Sequence, residues 1–199
     1  MYTPAAFQET DADVIAAMIA RAGLGIMVGA GPQGLTATHL PFLHDRERGL
    51  LIGHVARANP NRPSGEVLVI FQGPHGYVSP SWYPSKAVHG RQVPTWNYEA
   101  VHVTGRARVF EDRDALLDVV ERLSDAHEAG RPEPWRVEEA PEAYVEALLR
   151  GIVGIEIAIE RVEAKRKLGQ NKDTADRAGV AAGLRADGRV ALADLTPKD

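Results

Sequence analysis

The sequence predicts a mainly β fold with helices, an α+β arrangement in which an antiparallel barrel or sandwich carries peripheral helices. Three observations predict it. Six or so segments read as strands joined by short turns, with only a few helices interrupting them. Those helices do not alternate regularly with the strands, which argues against a doubly wound parallel sheet. No GxGxxG follows a strand, no GxxxxGK[ST] is present, and no internal repeat is visible.

The elements follow in order. Residues 11–22, DADVIAAMIARA, read as an amphipathic helix: Asp11 can cap it, Val14, Ile15, Met18 and Ile19 share a face, and Gly23 stops it. LGIMVGA (24–30) reads as a strand with Gly31-Pro32 as its turn. GLTATHLPFLHD (34–45) is a second strand whose Pro41 marks an edge or a bulge. RGLLIGHVA (48–56) is a third, and EVLVIFQ (66–72), apolar on both faces, a central fourth. GPHGYVSPSWYPSK (73–86) fits neither a helix nor a clean strand and reads as an irregular loop. TWNYEAVHVTGRARVF (95–110) alternates, with Val101, Val103, Ala107 and Val109 on one face and Tyr98, His102, Arg106 and Arg108 on the other. Residues 112–128 are the clearest helix, capped by Asp112 and lined by Leu116, Leu117, Val120 and Leu123. A Pro-rich linker leads to a helix at about 141–150, and GIVGIEIAIERVE (151–163) alternates with Val153, Ile155, Ile157 and Ile159 inward. The tail after Asp173 is rich in Ala and Gly and reads as a weak helix at best.

Composition bounds the function. A chain of 199 residues, 44% of them hydrophobic, is enough for one core. The lack of cysteine excludes disulfides and thiol nucleophiles and makes the cytoplasm the expected setting. No apolar run is long enough for a membrane span, and the polar, acidic start MYTPAAFQETDAD does not read as a signal peptide. A net charge of −4 gives no overall push towards nucleic acid.

The candidate chemistry lies in short segments. His39, His54, His75 and His102 sit on or beside strands without metal-ligand spacing, so packing is the usual role; small or polar neighbours make His39 and His54 the better ligand-site candidates. Ser79 and Ser81 lie near histidines, but no GxSxG elbow supports a hydrolase. GHVARANP (53–60) puts Arg57 just past a strand in a turn of small residues, suited to phosphate or equally to a plain surface role. KRKLGQNKD (165–173) is the densest positive patch, with Gln170 and Asn171 set among its lysines. VPTWNY (93–98) repeats the mixture of rings and polar groups seen in 73–86, and the two together describe a pocket for a planar, phosphorylated ligand. The residues alone leave packing and ligand cradle open for 73–86.

Taken together, MYTPAAF, THLPF, GHVARANP, GPHGYVSPSWY, VPTWNYEAVH and KLGQNK resemble the PaiB family of FMN-binding negative transcriptional regulators, related to the pyridoxamine-phosphate-oxidase-like split barrels. The resemblance implies an FMN-binding split β-barrel over residues 1–172, a helical tail over 173–199, and a homodimer with FMN at the subunit interface. Carried over motif by motif, it implies FMN contacts from Thr38 and His39; His54, Ala56, Arg57 and Asn59; Ser79, Ser81, Trp82 and Tyr83; Thr95, Trp96 and Asn97; and Lys167, Gln170, Asn171 and Lys172. Tyr77 belongs to the same set of motif residues. The chain departs from the family in having Gly169 where Ser is usual and Arg62 where an aromatic is usual. A regulator would need DNA or a regulatory protein as partner, for which the sequence shows no helix-turn-helix. The alternatives are an FMN-dependent oxidoreductase or flavin reductase, and a haem-binding split barrel.

Overall fold

The computed structural model describes residues 1–31 and 34–198, so Pro32, half of the expected first turn, lies outside the described residues. The elements are β1 (Gln8–Glu9), α1 (Ala12–Ala22), β2 (Leu24–Gly31), β3 (Gly34–Pro41), β4 (Leu43–Asp45), β5 (Leu50–Ala56), β6 (Gly65–Val78), α2 (Ser85–His89), β7 (Thr95–Phe110), α3 (Arg113–Glu128), α4 (Glu142–Leu149), β8 (Ile152–Lys167), α5 (Thr174–Ala186) and α6 (Val190–Asp194). The strands form one eight-stranded sheet in the order β3-β2-β6-β7-β8-β5-β4, with β1 on β8. The chain divides into two compact units: a terminal unit of Met1–Arg21, Gln72–Val101 and Glu163–Asp199, and a central unit of Ala22–Phe71 and His102–Val162.

In the central unit, β2 runs antiparallel to both β3 and β6, and β5 runs antiparallel to both β4 and β8. β3 and β4 stand at opposite ends of the strand order, yet only Phe42 separates them in the chain. The sheet therefore curls until its ends approach, but they do not pair, and the barrel stays open among the described residues. The curl is tight at Phe42, whose ring meets Phe71 edge-on at 6.1 Å. A Cβ on Gly53 would lie 2.7 Å from the Pro41 carbonyl oxygen, so only glycine lets β5 pass there. Asp112 caps α3 by accepting from the Ala115 N–H at 2.9 Å, and Val119 and Leu123 of α3 pack on Leu50 and Ile52.

The terminal unit differs from expectation in two places. Gly73–Val78 is not loop but the second half of β6, whereas Pro80–Trp82 form a single 3-10 turn and Ser85–His89 a short helix. Gly-Pro reads as a break in sequence; here Gly73 is what allows the strand to pass Glu99, whose Cβ would sit 2.9 Å from an added Gly73 Cβ. The tail is not weakly helical either. Asp173 caps α5 by accepting from the Asp176 N–H at 2.7 Å, and Val180, Leu184 and Leu192 close a core over Val78, Tyr83 and Leu168. Burial of this apolar face outweighs the low helix propensity of glycine. Among the described residues, no helix is long and apolar enough to cross a membrane.

Candidate functional site

Thr95 and Asn97 are alternate residues of β7 and so point to one side of the sheet. Lys167 ends β8, and a turn through Gly169 follows, closed by the Lys172 N–H donating to the Gly169 carbonyl at 2.9 Å. Gly169 has φ +86°, a left-handed conformation that a serine side chain would strain, which accounts for the glycine at this position. These segments, with Phe7, Tyr83 and Val93, enclose a cavity of about 240 Å³ lined also by Asn171 and Lys172.

The lining of the cavity is cationic. No acidic residue lines it among the described residues, and it receives two ammonium groups. The Lys167 Nζ donates to the Thr95 hydroxyl and to the Trp96 carbonyl at 2.8 Å; the Lys172 Nζ donates to the Gln92 side-chain oxygen at 2.8 Å and lies 5.0 Å above the Tyr83 ring. All of these partners are neutral, so neither charge is cancelled. Burial, and then the nearby ammonium groups of Lys165 and Lys172, push the Lys167 amine below its ordinary value. Asn97 is only 3% exposed, and it lines the same cavity.

The structure thus brings Tyr83, Thr95, Asn97, Lys167, Asn171 and Lys172 of the expected set to one cavity. Their neighbours in the motifs do other things. Ser79 caps the 3-10 turn by accepting from the Ser81 N–H at 3.2 Å. Ser81 is exposed, with the Lys86 Nζ 3.5 Å from its hydroxyl. Trp82 packs on α5 so closely that a Cβ on Gly183 would fall 2.2 Å from its ring. Gln170 ties the turn together, its amide donating to the Arg166 carbonyl and its oxygen accepting from the Leu168 N–H at 2.8 Å. Trp96 points to the other side of the sheet, half-exposed beside His75 and Tyr77.

Six expected residues belong to the central unit, and none of them lines this cavity. The Arg57 guanidinium donates to Glu111 at 2.7 Å and to the Arg150 carbonyl at 2.8 Å. Arg62 also pairs with Glu111, at 3.8 Å. Asn59 accepts from the Asn61 N–H at 2.9 Å, Ala56 ends β5, and His39 is exposed on β3. His54 is half-buried on β5 with an unpaired Nδ1, and burial lowers its basicity. Thr38 lines a different cavity, of about 270 Å³, with Thr36, Asn61 and Arg62.

Sequence reasoning missed Glu99 and Gln92. Glu99 is fully buried, accepting from Arg21 at 2.6 Å and from Arg166 at 2.7 Å, and so fixes the strand end that carries Lys167. Its signal was parity: residue 99 falls on the same face of β7 as Val101 and Val103, where a carboxylate needs a cationic partner. Gln92 gave no signal, because its charged partners Lys172 and Asp176 lie 80 and 84 residues along the chain.

Residues 1–161 match the model of a family described as "Putative FMN-binding domain"; β8 runs on past that match, and the turn after it lies outside it. The chain is 36% identical over 182 residues to the Protease synthase and sporulation protein PAI 2 of Bacillus subtilis (strain 168), covering 88% of this chain and 85% of that one. Among solved structures it resembles the FAD and heme binding protein from Mycobacterium smegmatis, with a TM-score of 0.62 at 16% identity over 88% of this chain and 80% of that one. The flavocytochrome Anf3 from Azotobacter vinelandii gives a TM-score of 0.56 at 14% identity, over 80% of this chain and 69% of that one. At such identities the structural likeness is one of fold. With its open antiparallel split-barrel sheet and a family match over most of its length, the chain belongs to the family of FMN-binding domains that this model describes.

Proposed function

We propose that this protein holds FMN with the phosphate against Lys167 and Lys172, and that a second copy of the chain completes the flavin site. The observation that carries the reading is a cavity lined by two lysines and, among the described residues, by no acid, with both ammonium groups held by neutral partners. The donors fit a phosphate monoester: two cations, the Thr95 hydroxyl and an amide N–H₂. The cavity's 240 Å³ falls short of the roughly 300–1,000 Å³ of pockets that enclose whole ligands. It suits the phosphate end, so the flavin ring must extend beyond it, which supports a homodimer. When bound, FMN supplies hydride and electron-transfer chemistry; the residues here bind and orient it.

The Bacillus relative's name links it to protease synthesis and sporulation, which supports a regulatory role of PaiB type, exerted on DNA or a protein partner. Titration with FMN and with riboflavin tests the binding. We expect a yellow protein that takes up FMN at least about tenfold more tightly than riboflavin, as a charge-assisted phosphate contact implies. A protein that takes up neither overturns the reading. A gel shift with salt titration tests direct DNA binding: a salt-sensitive shift supports it, and none leaves the protein partner as the route.

A further inference from the structure

The Lys172 ammonium is held by a relay that begins at a buried acid. Asp176, 2% exposed in the first turn of α5, accepts from the Ser85 N–H at 3.0 Å, from the Ser85 hydroxyl at 2.7 Å and from the Gln92 Nε2 at 3.0 Å. A carboxylate only accepts, so it selects the N–H₂ end of Gln92. The oxygen end is thereby turned to Lys172, whose Nζ donates to it at 2.8 Å. The same ammonium rests on the Tyr83 ring, and the Arg177 guanidinium donates to the Lys172 carbonyl at 2.6 Å. An ammonium has three N–H groups, so this arrangement still leaves donor capacity for the cavity.

We propose that Gln92, oriented by Asp176, is a positioning residue that presents the Lys172 charge to the cavity and so sets a preference for phosphorylated flavin over riboflavin. The proposal rests on the phosphate reading above. A neutral acceptor is essential to it: Gln92 donates to Asp176 through Nε2 and accepts from Lys172 through its oxygen without adding a charge, whereas Glu111 brings a negative charge to Arg57. Gln92 therefore restrains a flexible four-carbon stem without neutralising it.

The test is the affinity of the full chain for FMN and for riboflavin, measured by flavin fluorescence for the natural protein, Gln92→Leu and Gln92→Met. FMN affinity should fall about tenfold in both variants while riboflavin affinity stays within about twofold, the loss being confined to a phosphate contact. A role in packing alone would lower both affinities together, and that result, or no change in either variant, overturns the proposal. Should Gln92→Leu fail to fold, Gln92→Met decides, because it keeps the side chain's length without its acceptor to Lys172. A natural protein with no preference for FMN over riboflavin overturns the phosphate reading itself, which separates that failure from failure of the Gln92 proposal.

Discussion

Two cationic segments look alike in sequence and differ in what they can still do. Arg57 follows β5 in a turn of small residues, and Lys167 and Lys172 flank a turn after β8. Arg57 is closed off: Glu111 takes its charge and the Arg150 carbonyl takes its Nε. The pairing holds Glu111 below the usual carboxylate range, through its hydrogen bond from Arg57 first and the Arg57 charge next. Lys167 and Lys172 are held only by a hydroxyl, a carbonyl and a carboxamide. A cation on neutral partners is positioned and still charged, whereas a cation on a carboxylate is positioned and balanced. Only the first kind has much to offer an incoming anion.

The comparison can be broken most directly by removing the charges. Lys167→Ala with Lys172→Ala should weaken FMN binding about a hundredfold, as expected for two charged hydrogen bonds, while Arg57→Ala stays within about twofold. Fluorescence titration of both variants checks this, and equal losses would erase the distinction. A subtler change gives Lys167 the kind of partner that Arg57 has. Thr95→Asp should weaken FMN about tenfold and leave riboflavin unchanged, through neutralisation rather than lost packing. Asn97→Leu separates ligand binding from folding. FMN affinity should fall about fivefold, while thermal or urea unfolding shows the ligand-free protein within about 1 kcal/mol of the natural one.

The smallest effect is a pH dependence. The Lys167 amine titrates below the ordinary lysine value of 10.5, and a bound phosphate favours its charged form. FMN affinity should therefore hold below that depressed value and decline as pH rises from it towards 10.5, with riboflavin flat. The ligand-free protein should behave in the opposite sense. Its folded form binds the proton less well than the unfolded chain does, so stability is complete above 10.5 and is lost as pH falls through the depressed value. FMN and riboflavin titrations across this range, beside unfolding curves, read both signs.

Periodicity made the long strands legible. β7 and β8 bury most of the residues their alternation assigns, with Val101, Val103, Val153, Ile155 and Ile157 fully buried and Val109 and Ile159 half-buried. What it could not show was partnership. Arg57 and Glu111 are 54 residues apart in sequence, and nothing local says that they meet. Local propensity also misleads where glycine serves close packing. Gly179 and Gly183 weaken α5 as an isolated helix, yet a Cβ on Gly179 would lie 2.1 Å from the Trp82 carbonyl oxygen, so they are what let the tail dock. The same contacts divide the 73–86 segment. Trp82 is chiefly packing, and Tyr83 is both packing and cavity wall.

β8 continues to Lys167, six residues past the end of the family match at residue 161. A fragment trimmed to the matched region would sever that strand, delete both cavity lysines and leave Glu99 without Arg166. It would also strip the covering of α5 and α6 from Val78 and Tyr83. For anyone cutting this chain for expression or fusing it to a reporter, the stretch that carries the family's sequence signature is shorter than the stretch that carries the cavity lysines and the helices covering Val78 and Tyr83.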